Sequence, residues 1–216
     1  GDASNFILAL SEADDGRLWV GTGKGLRRYA PETGRIETLP ELNAALESGA
    51  IELRRPVVRA IAPADQTRLW LATGTGVAAV DPHSGIASYL PVDPSGLHGI
   101  GAGSARALAR ARDGSLWIGM RRSGLVHYDP RSYGFTTWRQ HPSDGVHGGL
   151  SDDYVMAVLE DRHGRVWSAN MTGLNVVDPI RGDVRVLRHV PGDPRSLSAS
   201  LVRTIHETAD GEPTLF

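Results

Sequence analysis

The chain has 216 residues, of which 40% are hydrophobic and 22% charged, the balance of an ordinary globular protein long enough to bury a substantial core as one large domain or two small ones. Its formal net charge of −2 supplies no overall attraction to nucleic acid or to an anionic membrane surface. With no cysteine, disulfides, thiolate metal centres and thiol nucleophiles are all excluded.

Taken in order, residues 6–10 form an apolar run of strand length that suits a strand buried on both faces. Asp15-Gly16 tolerates the positive φ of a tight hairpin turn, and residues 18–20 follow as a second strand. Residues 21–25 turn the chain into a third strand over 26–29. Pro31-Glu32-Thr33-Gly34 turns it again, proline fixing φ early and glycine closing the turn, before a fourth strand over 36–39. Residues 41–53 have helix-forming composition and predict about two turns of helix before Gly49.

The same plan recurs. A second unit reads as strands over 57–61, 69–71, 77–80 and 86–90, with Gln66-Thr67 replacing Asp-Gly and so predicting a different first turn. A third runs from 105–108 to 135–138, a fourth from 155–158 to 184–187, and residues 201–205 open a fifth. Trp19, Trp70, Trp117 and Trp167 mark the units at intervals of 51, 47 and 50 residues, and Phe216 follows after 49. From Leu10, Ile61, Leu108 and Val158 to the matching tryptophan is nine residues each time, and length varies only in the connectors 40–56, 91–104, 139–153 and 188–200. A constant scaffold with variable connectors is the mark of a repeat architecture.

Repeated four-stranded units with tight turns predict an all-β fold, a β-propeller whose tryptophans form core between blades. The repeats span approximately 5–53, 54–101, 102–151, 152–199 and an incomplete 200–216. Together they make one partial propeller domain over 1–216, expected to be an open part of a larger ring of about seven blades. The chain starts and stops inside repeat text, so it is read as a piece of something longer. No run of about eighteen apolar residues occurs, and no charged-then-apolar leader opens it.

The repeat resembles the two-component regulator propeller family. The likeness is carried by Glu160-Asp161-Arg162-His163-Gly164-Arg165-Val166-Trp167 with Gly173-Leu174-Asn175-Val176-Val177-Asp178-Pro179, and by the connector text from His189 to Ser198. Gly25-Leu26 with Tyr29-Ala30-Pro31, and Gly124-Leu125 with Tyr128-Asp129-Pro130, carry the same third strand, while the second unit departs most. The resemblance implies the periplasmic sensor region of a bacterial inner-membrane signalling protein, ahead of a membrane span and a histidine kinase or diguanylate cyclase output. It carries over no ligand motif and no cofactor.

Ligands of propellers commonly sit where the connectors and the second-to-third-strand turns share one face. That places Lys24, Arg121, Arg122 and Asn170 in the turns, and Arg54, Arg55, His98, His147, Asp152 and Asp153 in the connectors. One column is more pointed: Arg59, Arg106 and Arg203 stand two residues before the apolar anchor, where the other units have Leu8 and Met156. Such arginines suit a carboxylate, sulfate or phosphate through forked contacts, and equally suit local pairing with their stems covering apolar surface. His141, Asp144 and His147 share a connector but lie on no common strand or helix face for a metal, and Asp15 and Asp161 sit at a repeating turn position, which is turn chemistry. No nucleophile elbow, phosphate loop or dinucleotide fingerprint occurs.

The sequence thus predicts a non-catalytic sensing or interaction module. A glycan or small anion is the expected ligand, and the rest of the propeller and an output domain are expected in the same chain. Homodimerisation is a further expectation, and no nucleic-acid partner is. A protein-binding scaffold is the alternative, and a propeller lyase or hydrolase ranks third.

Overall fold

The computed structural model describes residues 6–48, 56–95, 97–140, 149–208 and 213–215. Each predicted unit is a four-stranded antiparallel sheet with its strands in chain order. The first holds β1 Ile7–Glu12, β2 Leu18–Thr22, β3 Gly25–Ala30 and β4 Arg35–Thr38. Helix α1 Pro40–Ser48 follows in the connector where the composition predicts it. The second sheet is β5 Val58–Pro63, β6 Leu69–Thr73, β7 Gly76–Val80 and β8 Ala87–Tyr89, and the third is β9 Ala105–Arg110, β10 Leu116–Met120, β11 Leu125–Asp129 and β12 Gly134–Trp138. The fourth is β13 Val155–Glu160, β14 Val166–Asn170, β15 Gly173–Val177 and β16 Val184–Leu187. Strands β17 Ile205–Glu207 and β18 Pro213–Leu215 pair as a final hairpin. The architecture is a β-propeller of four blades and the start of a fifth.

Turn chemistry sets the blade edges. Gly114 closes the β9–β10 hairpin at φ 88°, a left-handed conformation open to glycine at no steric cost, and donates its N–H to Ala111 O at 3.0 Å. The second blade has no glycine there and turns differently. Asp65 Oδ1 accepts the N–H groups of Thr67 and Arg68 at 3.0 and 2.8 Å, while Arg68 O takes those of Ala64 and Asp65.

The tryptophans fill the spaces between blades. Trp19 packs with Val58, Leu69, Leu71 and Val80 of the second blade. Trp70 packs with Leu116, Ile118, Met120 and Tyr128 of the third, meeting the Tyr128 ring edge-on at 5.8 Å. Trp117 packs with Val155, Val166 and Val177 of the fourth, and Trp167 with Val202. All four indoles are at least 91% buried, and aromatic rings of this size dominate core energetics. Glycine after the indole allows close approach: a Cβ on Gly119 would lie 2.6 Å from Val155 Cγ1.

Two expectations are corrected. Strand β1 is not buried on both faces: Phe6, Ile7, Leu8 and Leu10 are exposed, because among the described residues no blade covers that side. The same exposure shows that the fifth unit does not close the ring onto the first. Residues 201–204 are not strand; the fifth unit's pairing begins only at Ile205.

Candidate functional site

The first strands of the blades, β1, β5, β9 and β13, are edge strands of their sheets and approach one another side by side. Each carries a bulge near its start. In β5 the register passes from Val58↔Thr73 to Ala60↔Ala72, leaving Arg59 unpaired. In β9 it passes from Ala105↔Met120 to Ala107↔Gly119, leaving Arg106 unpaired. Leu8 and Met156 are the corresponding extra residues of β1 and β13. A bulge twists the strand locally and re-aims its extra side chain, so the repeating column is a column of bulge residues.

In the second and third blades this brings cations together. Arg59 and Arg106 are half-buried, and the Nε of each is buried without a hydrogen-bond partner. Arg121, from the β10–β11 turn, joins them: its backbone N–H bonds Ser104 O at 3.0 Å, and its guanidinium lies 5.9 Å from the centre of the Tyr154 ring. Arg106 lies over the same ring at 5.1 Å and donates Nη2 to the Tyr154 hydroxyl. Burial, followed by the charges of Arg59 and Arg121, lowers the Arg106 pKa, and burial followed by Arg121 lowers that of Arg59. Both stay protonated, since arginine does not lose its proton in proteins. Among the described residues none of the three has an ion-pair partner.

The other candidates lie elsewhere. Arg203 is exposed ahead of β17, and no interaction joins it to the cluster. Lys24 and Arg122 are exposed on turns, and His98 is exposed in the second connector. Asn170 is fully buried: its Nδ2 donates to Asp152 O, and its Oδ1 accepts Ser168 Oγ at 2.8 Å and Asn175 Nδ2 at 2.6 Å. Asn175 Oδ1 in turn accepts the Ser151 N–H at 2.7 Å, so this amide pair ties the connector to its blade and is not open to a ligand. Asp153 accepts the Gln140 N–H at 2.7 Å, and Asp152 accepts that of Tyr154 at 2.7 Å, with burial raising the Asp152 pKa. Arg54, Arg55, His141, Asp144 and His147 lie outside the described residues.

At the opposite rim, where the β1–β2 and β3–β4 type turns lie, the turn aspartates are consumed locally, while Glu160 at the end of β13 keeps one buried oxygen without a partner and burial raises its pKa. Asp161 is fully buried and accepts Trp167 Nε1 at 2.8 Å, Arg165 Nε at 2.7 Å, and the N–H groups of His163 and Arg165, both at 2.9 Å. Burial pushes its pKa up, but these four bonds hold it below the usual range. Arg28 pairs with Asp15 and stacks on Trp19 at 5.0 Å; Arg68 pairs with Asp65 at 2.7 Å, and Arg131 with Asp129 at 2.9 Å. A cavity of about 270 Å³ opens there between the first two blades, against Trp19, Arg28, Asp65 and Arg68.

A serine and a histidine also meet at that rim, a contact with no signal in the residue pattern. His127 Nε2 lies 2.7 Å from Ser115 Oγ, and Ser115 Oγ donates to Asp113 Oδ1 at 2.6 Å. The order is wrong for a nucleophile: the carboxylate takes the hydroxyl proton and the imidazole donates to the hydroxyl, whereas a catalytic base accepts that proton and is itself held by the acid. Ser115 is moreover 1% exposed.

The two-component regulator propeller family model matches residues 1–24. The match covers the start of the first unit, through β1 and β2. Extracellular domains of two hybrid two-component systems of B. thetaiotaomicron share the fold, both with a TM-score of 0.74, at 15% and 18% identity over 97% and 98% of this chain. The chain spans about a quarter of each of those domains, 26% and 27% of their length. A catalytically inactive virginiamycin B lyase of Staphylococcus aureus, solved with quinupristin, is similar at a TM-score of 0.63 and 13% identity over 100% of this chain and 71% of its own. These likenesses establish the propeller fold. No curated protein matches the chain in sequence.

Proposed function

We propose that this chain is a non-catalytic, ligand-sensing portion of an extracytoplasmic sensor in bacterial two-component or cyclic-di-GMP signalling, anchored as part of an inner-membrane protein. The observation that carries the reading is the contrast between rims. The connector rim gathers three arginines without a described counter-charge, while Asp15, Asp65, Asp129 and Asp161 at the other rim are each paired with an arginine. The family match at residues 1–24 and the shared fold with sensor domains support it. Among the described residues, no helix is long and apolar enough to cross a membrane.

Signalling would follow from differential binding. A ligand that prefers one arrangement of a sensor dimer shifts that population, and the shift is bounded by the difference in affinity. The output domain and the rest of the propeller would lie elsewhere in the same protein.

The test is a thermal-shift screen of the full chain against glycans, sugar acids and small anions, since a ligand that binds only the folded state raises Tm. At least one compound should raise Tm and change the activity of the attached output. If none does, the reading passes to a scaffold that binds another protein through the same rim.

A further inference from the structure

We infer that Arg59, Arg106 and Arg121 form a binding site for a dianionic tetrahedral oxyanion, free sulfate or phosphate or a phosphate monoester, with Tyr154 as its back wall. The site rests on the sensor reading only for what its occupation would signal; the binding itself stands apart from that reading.

Three observations carry it. First, the bulges place one arginine from each of two neighbouring blades at the same height of adjacent edge strands. The β10–β11 turn adds a third guanidinium on the same aromatic ring as Arg106. Second, the Nε groups of Arg59 and Arg106 are buried yet bond nothing. A buried donor without a partner is costly, and native structures rarely leave one so without a ligand, ion or water to meet it. Third, Arg59 and Arg106 hold like charges in half-buried positions beside the exposed Arg121, which is destabilising unless something neutralises them. Among the described residues, that counter-charge is absent.

The geometry selects the ligand class. Donors come from two strands and a turn, more than one planar carboxylate can meet. A carboxylate offers two oxygens in one plane and a single charge, which suits one guanidinium fork. A tetrahedral dianion offers oxygens in several directions and twice the charge. Tyr154 adds a preorganised element: its ring holds Arg106 and Arg121 by cation–π contact, and its hydroxyl fixes the Arg106 fork. The sequence column assigns Arg203 to this set; the structure replaces it with Arg121, because the fifth unit has no bulged strand at that point.

The experiment is isothermal titration of the full chain with sodium sulfate, sodium phosphate, glucose 6-phosphate and sodium acetate, at ionic strength held constant with sodium chloride. Sulfate or phosphate should bind at least tenfold more tightly than acetate. The double variant Arg59→Met/Arg106→Met, which keeps the apolar stems, should weaken that binding at least tenfold, and so should Arg121→Ala, an exposed position whose loss does not threaten folding. Arg203→Met should leave it unchanged. Tighter binding of glucose 6-phosphate than of phosphate assigns an ester, and the reverse assigns the free ion. Sulfate and phosphate binding no better than acetate, or binding equally well to the double variant and to Arg121→Ala, overturns the site. A Tm rise and output response to some other compound, with no oxyanion binding, sinks the site and leaves the sensor reading standing. Oxyanion binding with a silent output does the opposite.

Discussion

The two rims of this propeller arc use arginine in opposite ways. At the turn rim four arginines have an acid each: Arg28 with Asp15, Arg68 with Asp65, Arg131 with Asp129, Arg165 with Asp161. These pairs lie within a blade, across hairpins that the repeat fixes, so they come with the fold. At the connector rim Arg59 comes from the second blade and Arg106 and Arg121 from the third, so Arg59 meets the other two only because the blades pack, with no described acid among them. The lesson is that the paired arginines are part of how a blade closes its turns, whereas Arg59 and Arg106 combine an unmet buried Nε, which Arg28 also has, with like charge and no acid beside them.

Substitutions can break this contrast, and the largest effect is expected at the turn rim. Asp161→Ala removes four hydrogen bonds from a buried carboxylate and strands the Trp167 indole N–H. It should destabilise the full chain by about 3–5 kcal/mol, lowering Tm by roughly 6–20 °C; a loss below about 1 kcal/mol in urea unfolding would show that the turn carboxylates do not hold the blades. A smaller effect separates the two rims by sign. Arg28→Met, which loses the Asp15 pair and the contact over Trp19, should cost about 1 kcal/mol. Arg59→Met, in dilute chloride without oxyanion, should be neutral or slightly stabilising because it relieves repulsion. Equal destabilisation by both would erase the distinction.

The smallest effect is a pH dependence at His127. Burial lowers its pKa below the usual 6.5, against the opposing pull of Asp113 and Asp129, so the unfolded chain takes up a proton before the folded protein does. Stability contributed by the neutral imidazole is full above that value and falls as pH drops through and below it. The Tm difference between the native protein and His127→Gln should therefore shrink between about pH 7.5 and about pH 5, and a difference constant with pH would contradict the assignment.

Much of this was legible in the sequence. The tryptophan period gave the blades, and the Asp-Gly and Pro-Glu-Thr-Gly turns gave the strand order, because both encode local backbone requirements. The arginine column was legible as a position but not as a site. Each of the four complete units carries the bulge, so the constant nine-residue spacing conceals it, and nothing in the text separates Arg106 in a bulged strand from Arg203 ahead of a shorter one. Arg121 shows in the sequence only as a turn residue, since its meeting with Arg59 depends on packing between blades. Asn170 has the chemistry of a ligand contact, yet its amide is used by Ser168, Asn175 and Asp152, a network that only the paired strands bring together. The exposure of β1 was likewise hidden, because an apolar run does not say whether a neighbouring blade is there to cover it.

The most direct test is a crystal structure of the full chain soaked in selenate, read by anomalous scattering. The predicted result is a selenium peak between the three guanidiniums, with oxygens in hydrogen-bond range of Arg59 Nε and Arg106 Nε, and no peak at the turn rim. A carboxylate from elsewhere in the protein seated between Arg59 and Arg106, with no selenium there, would contradict it.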